Sequence, residues 1–229
     1  MDKASVLLLP HKFSTNTNAK IPFTKVDLNP KHFTCFNEML SYLSASFDVA
    51  EIKADAFRVS RLDVAADLED FPIDAILSIL RVDRIRAEGL SFFKGTIYAG
   101  TDPKIKIYEK VREIKARLKK GYAVTDYERG LVDSGKSYTR FEIQIRNVGK
   151  RLDEIASDPL VLASYFDRLE VFRFPENENV GVLQVVYKYV NRKFRQSLAR
   201  YRDYELVETI KRKYGEAAVA WFNPEVEPF

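Results

Sequence analysis

The 229-residue chain is 46% hydrophobic, sets 37 Lys and Arg against 33 Asp and Glu, and contains one cysteine. This length allows one substantial core or two small fused lobes and excludes a string of independent domains. No apolar run approaches the roughly 18 residues of a bilayer span, and the lone Cys35 excludes an intrachain disulfide.

At the N-terminus, Val6-Leu-Leu-Leu9 is too short for a signal-peptide core, and Pro10-His-Lys12 follows it in place of a small-residue cleavage site. With the single cysteine, this gives the expectation of a cytoplasmic protein. Residues 1–30 mix short apolar pieces with Asn, Thr and Pro, a pattern of strands joined by loops. Phe33, Phe36, Met39, Leu40 and Leu43 predict a helix from Pro30 through Ser44. From Val49 to Leu68 the period drops to two, as in two strands or one bent strand. Phe71-Pro-Ile-Asp74 opens a second predicted helix with the stripe Ile73, Ile76, Leu77 and Leu80.

Ile97 and Ala99, then Ile105 and Ile107, predict two strands around a Gly100-Thr-Asp-Pro103 turn. A further strand is marked by Phe141, Ile143 and Ile145. Beyond Lys150 the pattern is mostly helical, interrupted near Asp158-Pro159 and at Pro175. The expected fold is α+β: an antiparallel sheet with helices packed on one face, an open polar face and a helical C-terminal part. It is expected as a single domain over residues 1–229, with 1–149 mainly sheet and two helices, and 150–229 mainly helical on the same core.

Side-chain parity gathers an unusual polar set. Successive strand residues point to opposite sides, so Arg61, Asp63 and Asp67 share a face away from Leu62, Val64 and Ala66. By the same rule Tyr98, the series Lys106, Tyr108 and Lys110, and the series Arg140, Glu142, Gln144 and Arg146 oppose the apolar residues of their strands. Asp63, Glu142 and Asp67 supply hard oxygen atoms suited to Mg²⁺ or Mn²⁺, which would polarise a scissile phosphate. Tyr108 has the chemistry of a nucleophile that conserves a phosphodiester as phosphotyrosine. Its free pKa of about 10 requires help from Lys106, Lys110 or the metal, and Arg61, Arg140 and Arg146 suit the clamping of neighbouring phosphates. The same residues also fit a row of cross-strand ion pairs, and Tyr98 and Tyr108 also fit stacking platforms for bases.

Four blocks, Arg61-Leu-Asp-Val-Ala-Ala-Asp67, Thr96-Ile-Tyr-Ala-Gly-Thr101, Ile107-Tyr-Glu-Lys110 and Arg140-Phe-Glu-Ile-Gln-Ile-Arg146, stand in this order over about 85 residues. Together they resemble the replication initiation factor family, the Rep_trans-type rolling-circle initiators of small plasmids and filamentous phages. The resemblance implies a site-specific DNA nickase that attacks one strand through tyrosine and leaves a free 3′-OH for a polymerase. It implies Tyr108 as nucleophile, Asp63 and Glu142 as metal carboxylates with Asp67 beside them, and Arg61, Lys110, Arg140 and Arg146 as phosphate or structural partners. The implied partners are origin DNA, presented as a single-stranded or cruciform nick site, a host helicase and polymerase, and a second copy in a homodimer. His11 and His32 are far apart, which excludes a His-hydrophobic-His metal site.

Positive charge concentrates in Lys104 to Lys120 and in Lys188 to Arg202, with Lys211-Arg-Lys213 beyond. The C-terminal stretch Val182 to Tyr214 is the expected duplex-contacting element, through Lys188, Arg192, Arg195, Arg200 and Arg202. Its basic residues fit a solvated helix face equally well, with Leu183, Val186, Tyr189, Val190 and Phe194 docking the helix.

Overall fold

A computed structural model describes residues 4–13, 20–47, 58–71, 73, 90–146, 148–175, 179 and 198–226. The chain divides into two compact units, Met1–Glu51 and Ile52–Phe229, where the sequence suggests one domain. In the first unit, strands β1 (Ala4–Phe13) and β2 (Lys20–Leu28) form a two-stranded antiparallel sheet.

In the first unit the expected helix from Pro30 is two elements. Pro30–His32 forms a 3-10 turn, the chain then becomes extended at Phe33, and α1 runs Phe36–Phe47. Glu38 fixes the restart by accepting from both the backbone N–H and the hydroxyl of Thr34, at 2.6 and 2.7 Å. Phe33, Phe36, Met39 and Leu43 are buried along one stripe, as their spacing predicts.

The second unit is built on a five-stranded antiparallel sheet in the order β3-β7-β6-β5-β4. Its strands are β3 (Arg61–Glu69), β4 (Leu90–Phe93), β5 (Thr96–Ala99), β6 (Lys104–Glu109) and β7 (Tyr138–Arg146). The α+β class and the antiparallel pairing are those expected. Val64, Ala66, Ile105, Ile107, Phe141 and Ile143 are buried on one face. That face packs against Ile155 of α4 (Leu152–Ser157), Leu162 and Phe166 of a 3-10 segment (Pro159–Arg168), and Leu206, Val207 and Ile210 of the C-terminal helix α5 (Tyr204–Phe222). Burial of each Val, Leu, Ile or Phe side chain among these stabilises the fold by roughly 1.5–3 kcal/mol.

One further helical pair stands at the opposite face. Helices α2 (Lys110–Lys119) and α3 (Asp126–Asp133) enclose Val111, Ile114 and Leu131, and Tyr138, a polar-face residue of β7, packs against that small core. The polar face is therefore covered at one end and less open than its alternation suggests. The helix predicted from Phe71 lies mainly outside the described residues. Among the described residues no helix is long and apolar enough to cross a membrane.

Candidate active site

Strand register fixes which polar groups meet. Glu142 stands opposite Ala65 on β3 and Lys106 on β6, and Lys106 stands opposite Tyr98 on β5. In the next row Asp67, Arg140, Tyr108, Thr96 and Phe93 follow one another across the sheet. Asp63 pairs with Gln144, and Arg61 with Arg146. Nine of the expected residues, Arg61, Asp63, Asp67, Tyr98, Lys106, Tyr108, Arg140, Glu142 and Arg146, thus share one face.

At the centre of this face, one carboxylate serves two neighbours from β6. Glu142 accepts from the Lys106 ammonium through Oε1 and from the Tyr108 hydroxyl through Oε2, the latter at 3.0 Å. Burial raises the Tyr108 phenol well above the ordinary tyrosine value; the Glu142 charge adds to the rise, and the Arg140 cation opposes it. At rest the nucleophile candidate is therefore a protonated phenol with an acceptor already in contact.

Arg140, the direct cross-strand neighbour of Tyr108, is held by a bidentate pair with Asp67 at 2.7 and 2.6 Å. Burial works against the Arg140 charge, but the Asp67 hydrogen bonds and charge outweigh it and hold the guanidinium firmly protonated. Tyr127 of α3 donates to the same Asp67 at 3.1 Å. Tyr127 is 60% exposed, yet partial burial, then the Asp67 charge, pushes its phenol up to about 12. Asp63 forms a separate bidentate pair with Arg61, at 2.9 and 2.6 Å, and Gln144 lies against the pair. Burial opposes ionisation of Asp63, yet Arg61, Gln144 and Lys106 together keep its carboxyl below the usual range.

Lys110 departs from the parity expectation. Glu109 ends β6 and caps α2, accepting from the backbone N–H groups of Val111 and Arg112. Lys110 therefore begins a helix, and its buried ammonium meets Glu113 at 2.6 Å and Glu128 at 3.5 Å. It is a structural partner within the α2–α3 pair. Arg146 is exposed, with its backbone N–H on the Asp102 carboxylate at 3.1 Å. Lys188, Arg192 and Arg195 lie outside the described residues. Arg202 spans Glu170 at 3.6 Å and the Tyr204 ring at 4.6 Å, and Arg200 lies over Tyr201.

Asp63, Glu142 and Asp67 are the expected metal carboxylates. Asp63 and Glu142 are diagonal neighbours on adjacent strands, with Cα atoms roughly 7–8 Å apart, whereas Asp63 and Asp67 are four strand residues apart, about 14 Å along the backbone. Each carboxylate is already met by a side-chain cation, and no group of three His, Cys, Asp or Glu among the described residues could hold a metal ion. In this arrangement the residues do not fit Mg²⁺ or Mn²⁺.

Sequence reasoning missed Tyr127 and Lys104, whose ammonium lies 5.3 Å from the centre of the Tyr98 ring. Lys104 was legible, since it continues the parity of Lys106; Tyr127 belongs to a distant helix and gave no local signal. Comparison with known proteins finds no matching family model, no matching curated protein and no matching solved structure.

Proposed function

We propose that this protein is a DNA nicking–joining enzyme that starts rolling-circle replication, with Tyr108 as its nucleophile. The observation that carries this is the Lys106–Glu142–Tyr108 trio beside the fixed Arg140, on residues that stand in the motif order described above. The Tyr108 oxygen attacks phosphorus, the phenol proton passes to Glu142, and the bond to the 3′ oxygen breaks to leave a 3′-OH after protonation from solvent. The 5′ phosphate stays on tyrosine, so reversal rejoins the strand. Lys106 and Arg140 supply positive charge where the transferring phosphate gathers negative charge.

Its partners in this role are origin DNA exposed as a single strand or cruciform, a host helicase and polymerase, and a second copy of the chain, all in the cytoplasm. A second function, a module that holds single-stranded nucleic acid without cutting, is favoured by one observation: the Tyr108 proton is secured by burial and by Glu142.

Nicking of pooled supercoiled and single-stranded DNA, with Mn²⁺ or EDTA, separates the two. The unmutated protein is expected to nick, and Glu142→Gln to nick about 100-fold or more slowly through loss of the proton acceptor. Equal rates would remove Glu142 from the chemistry, and binding without nicking across the pool would select the non-cutting module. Nicking that requires Mn²⁺ would mean that the paired carboxylates rearrange around the ion.

A further inference from the structure

We propose that the exposed face of α2 and the adjoining β4–β5 turn form a track for single-stranded DNA leading to Tyr108. The direction of the track rests on the nicking function; the binding surface does not. Helix α2 starts two residues after Tyr108, so its basic face leads outward from the site. Arg112, Lys115 and Lys119 are spaced by three and four residues, within about 60° of one another around a helix of 3.6 residues per turn. All three are exposed and have no acidic side-chain partner among the described residues. Arg117 of the same helix shows the alternative arrangement, turned inward onto Glu113 and Glu128.

A second observation ties this face to the sheet. Lys94 and Gly95 both have positive φ, at 50° and 78°, as a two-residue hairpin turn requires. The Arg112 guanidinium lies against Gly95, so close that an added Cβ would meet it at 3.0 Å. That turn directly follows Phe93, which is 60% exposed with the Lys94 ammonium 5.1 Å from its ring centre. Phe93 shares a row with Thr96 and Tyr108, two strand spacings or about 10 Å from the nucleophile. Tyr122, 61% exposed, follows the other end of the helix.

Aromatic rings at both ends of a cationic row that has no acidic partner among the described residues suit bases that stack and phosphates that pair. A duplex offers no base face to Phe93, which selects a single strand as the occupant. The test is fluorescence anisotropy with labelled oligothymidylate over a salt series, alongside a duplex and phosphatidylserine vesicles.

The Arg112→Gln/Lys115→Gln/Lys119→Gln variant should bind the single strand at least 10-fold more weakly at low salt. Its salt slope should be shallower by about 2, near 0.7 for each lost phosphate contact. Phe93→Ala, which leaves the charge intact, should weaken binding about 5-fold or more at an unchanged slope. Unchanged affinity and slope in the triple variant would overturn the track, as would an equal loss of duplex or vesicle binding. Tyr108→Phe should retain single-strand binding; a loss of nicking with binding intact reports on the nucleophile, not on the track.

Discussion

Asp67 is the residue that joins two regions of the second unit. It receives the Arg140 guanidinium from β7 and the Tyr127 hydroxyl from α3, 73 and 60 residues away along the chain. The consequence is a pH dependence with a definite sign. A folded-state pKa raised above the unfolded value of about 10 favours folding fully below pH 10, and the contribution is lost as pH rises. For Tyr127, pushed up to about 12 by burial and then by Asp67, the window runs from about pH 10 to about pH 12. Asp67→Asn should bring the Tyr127 titration down and narrow that window, read from the tyrosine ring carbon in an NMR titration. A Tyr127 titration that stays in place would assign the rise to burial alone.

The strand blocks were legible at this scale because alternation fixes faces, and Asp67, Arg140, Tyr108, Glu142 and Lys106 fall where their parity puts them. Lys110 was not, because Glu109 turns from strand to helix cap at the position where parity reasoning assumes the strand continues.

Helices α2 and α3 are joined by charge as well as by their small apolar core. Glu128 closes a capping box with Thr125 and also meets Lys110 and the Arg117 guanidinium. These functions differ in energetic weight. Thr125→Ala removes one cap and should destabilise the protein by about 1 kcal/mol. Glu128→Ala leaves the buried Lys110 and the half-buried Arg117 without this partner and should destabilise it by about 3 kcal/mol. Urea unfolding of the two variants checks the ratio, and equal losses would mean that the ion cluster contributes little beyond the cap. The capping pattern Thr125 to Glu128 is visible in the sequence, as is the amphipathic α2. Their placement over the polar face is not, since no local period records that Tyr138 and Asp67 lie beneath them. Strand β4 escaped notice for a related reason: Lys94-Gly95 is not one of the residue pairs that usually announce a tight hairpin.

At the scale of the molecule, the division at Glu51 and Ile52 assigns the candidate site to the second unit alone. The described residues of the main core cluster, from Val59 to Phe222, belong to that unit. A fragment of residues 52–229 should therefore keep a cooperative thermal transition and the amide spectrum of its sheet. A broad, non-cooperative melt would show that the N-terminal unit is needed for the sheet to fold. The antiparallel class followed from short turns and alternation, but the order β3-β7-β6-β5-β4 did not. Placing β7 between β3 and β6 depends on pairings between distant segments, and that placement sets Glu142 and Arg140 between the Asp63–Asp67 strand and the Lys106–Tyr108 strand.

The most direct measurement is covalent capture on DNA. The unmutated protein and Tyr108→Phe are each incubated with pooled labelled single-stranded DNA and supercoiled plasmid, denatured, and examined for label attached to protein, with the attachment site mapped by mass spectrometry. An adduct on the Tyr108 oxygen is expected with the unmutated protein and none with Tyr108→Phe, while single-strand binding persists. An adduct that survives in Tyr108→Phe, or binding across the pool with no adduct in the unmutated protein, would contradict this expectation.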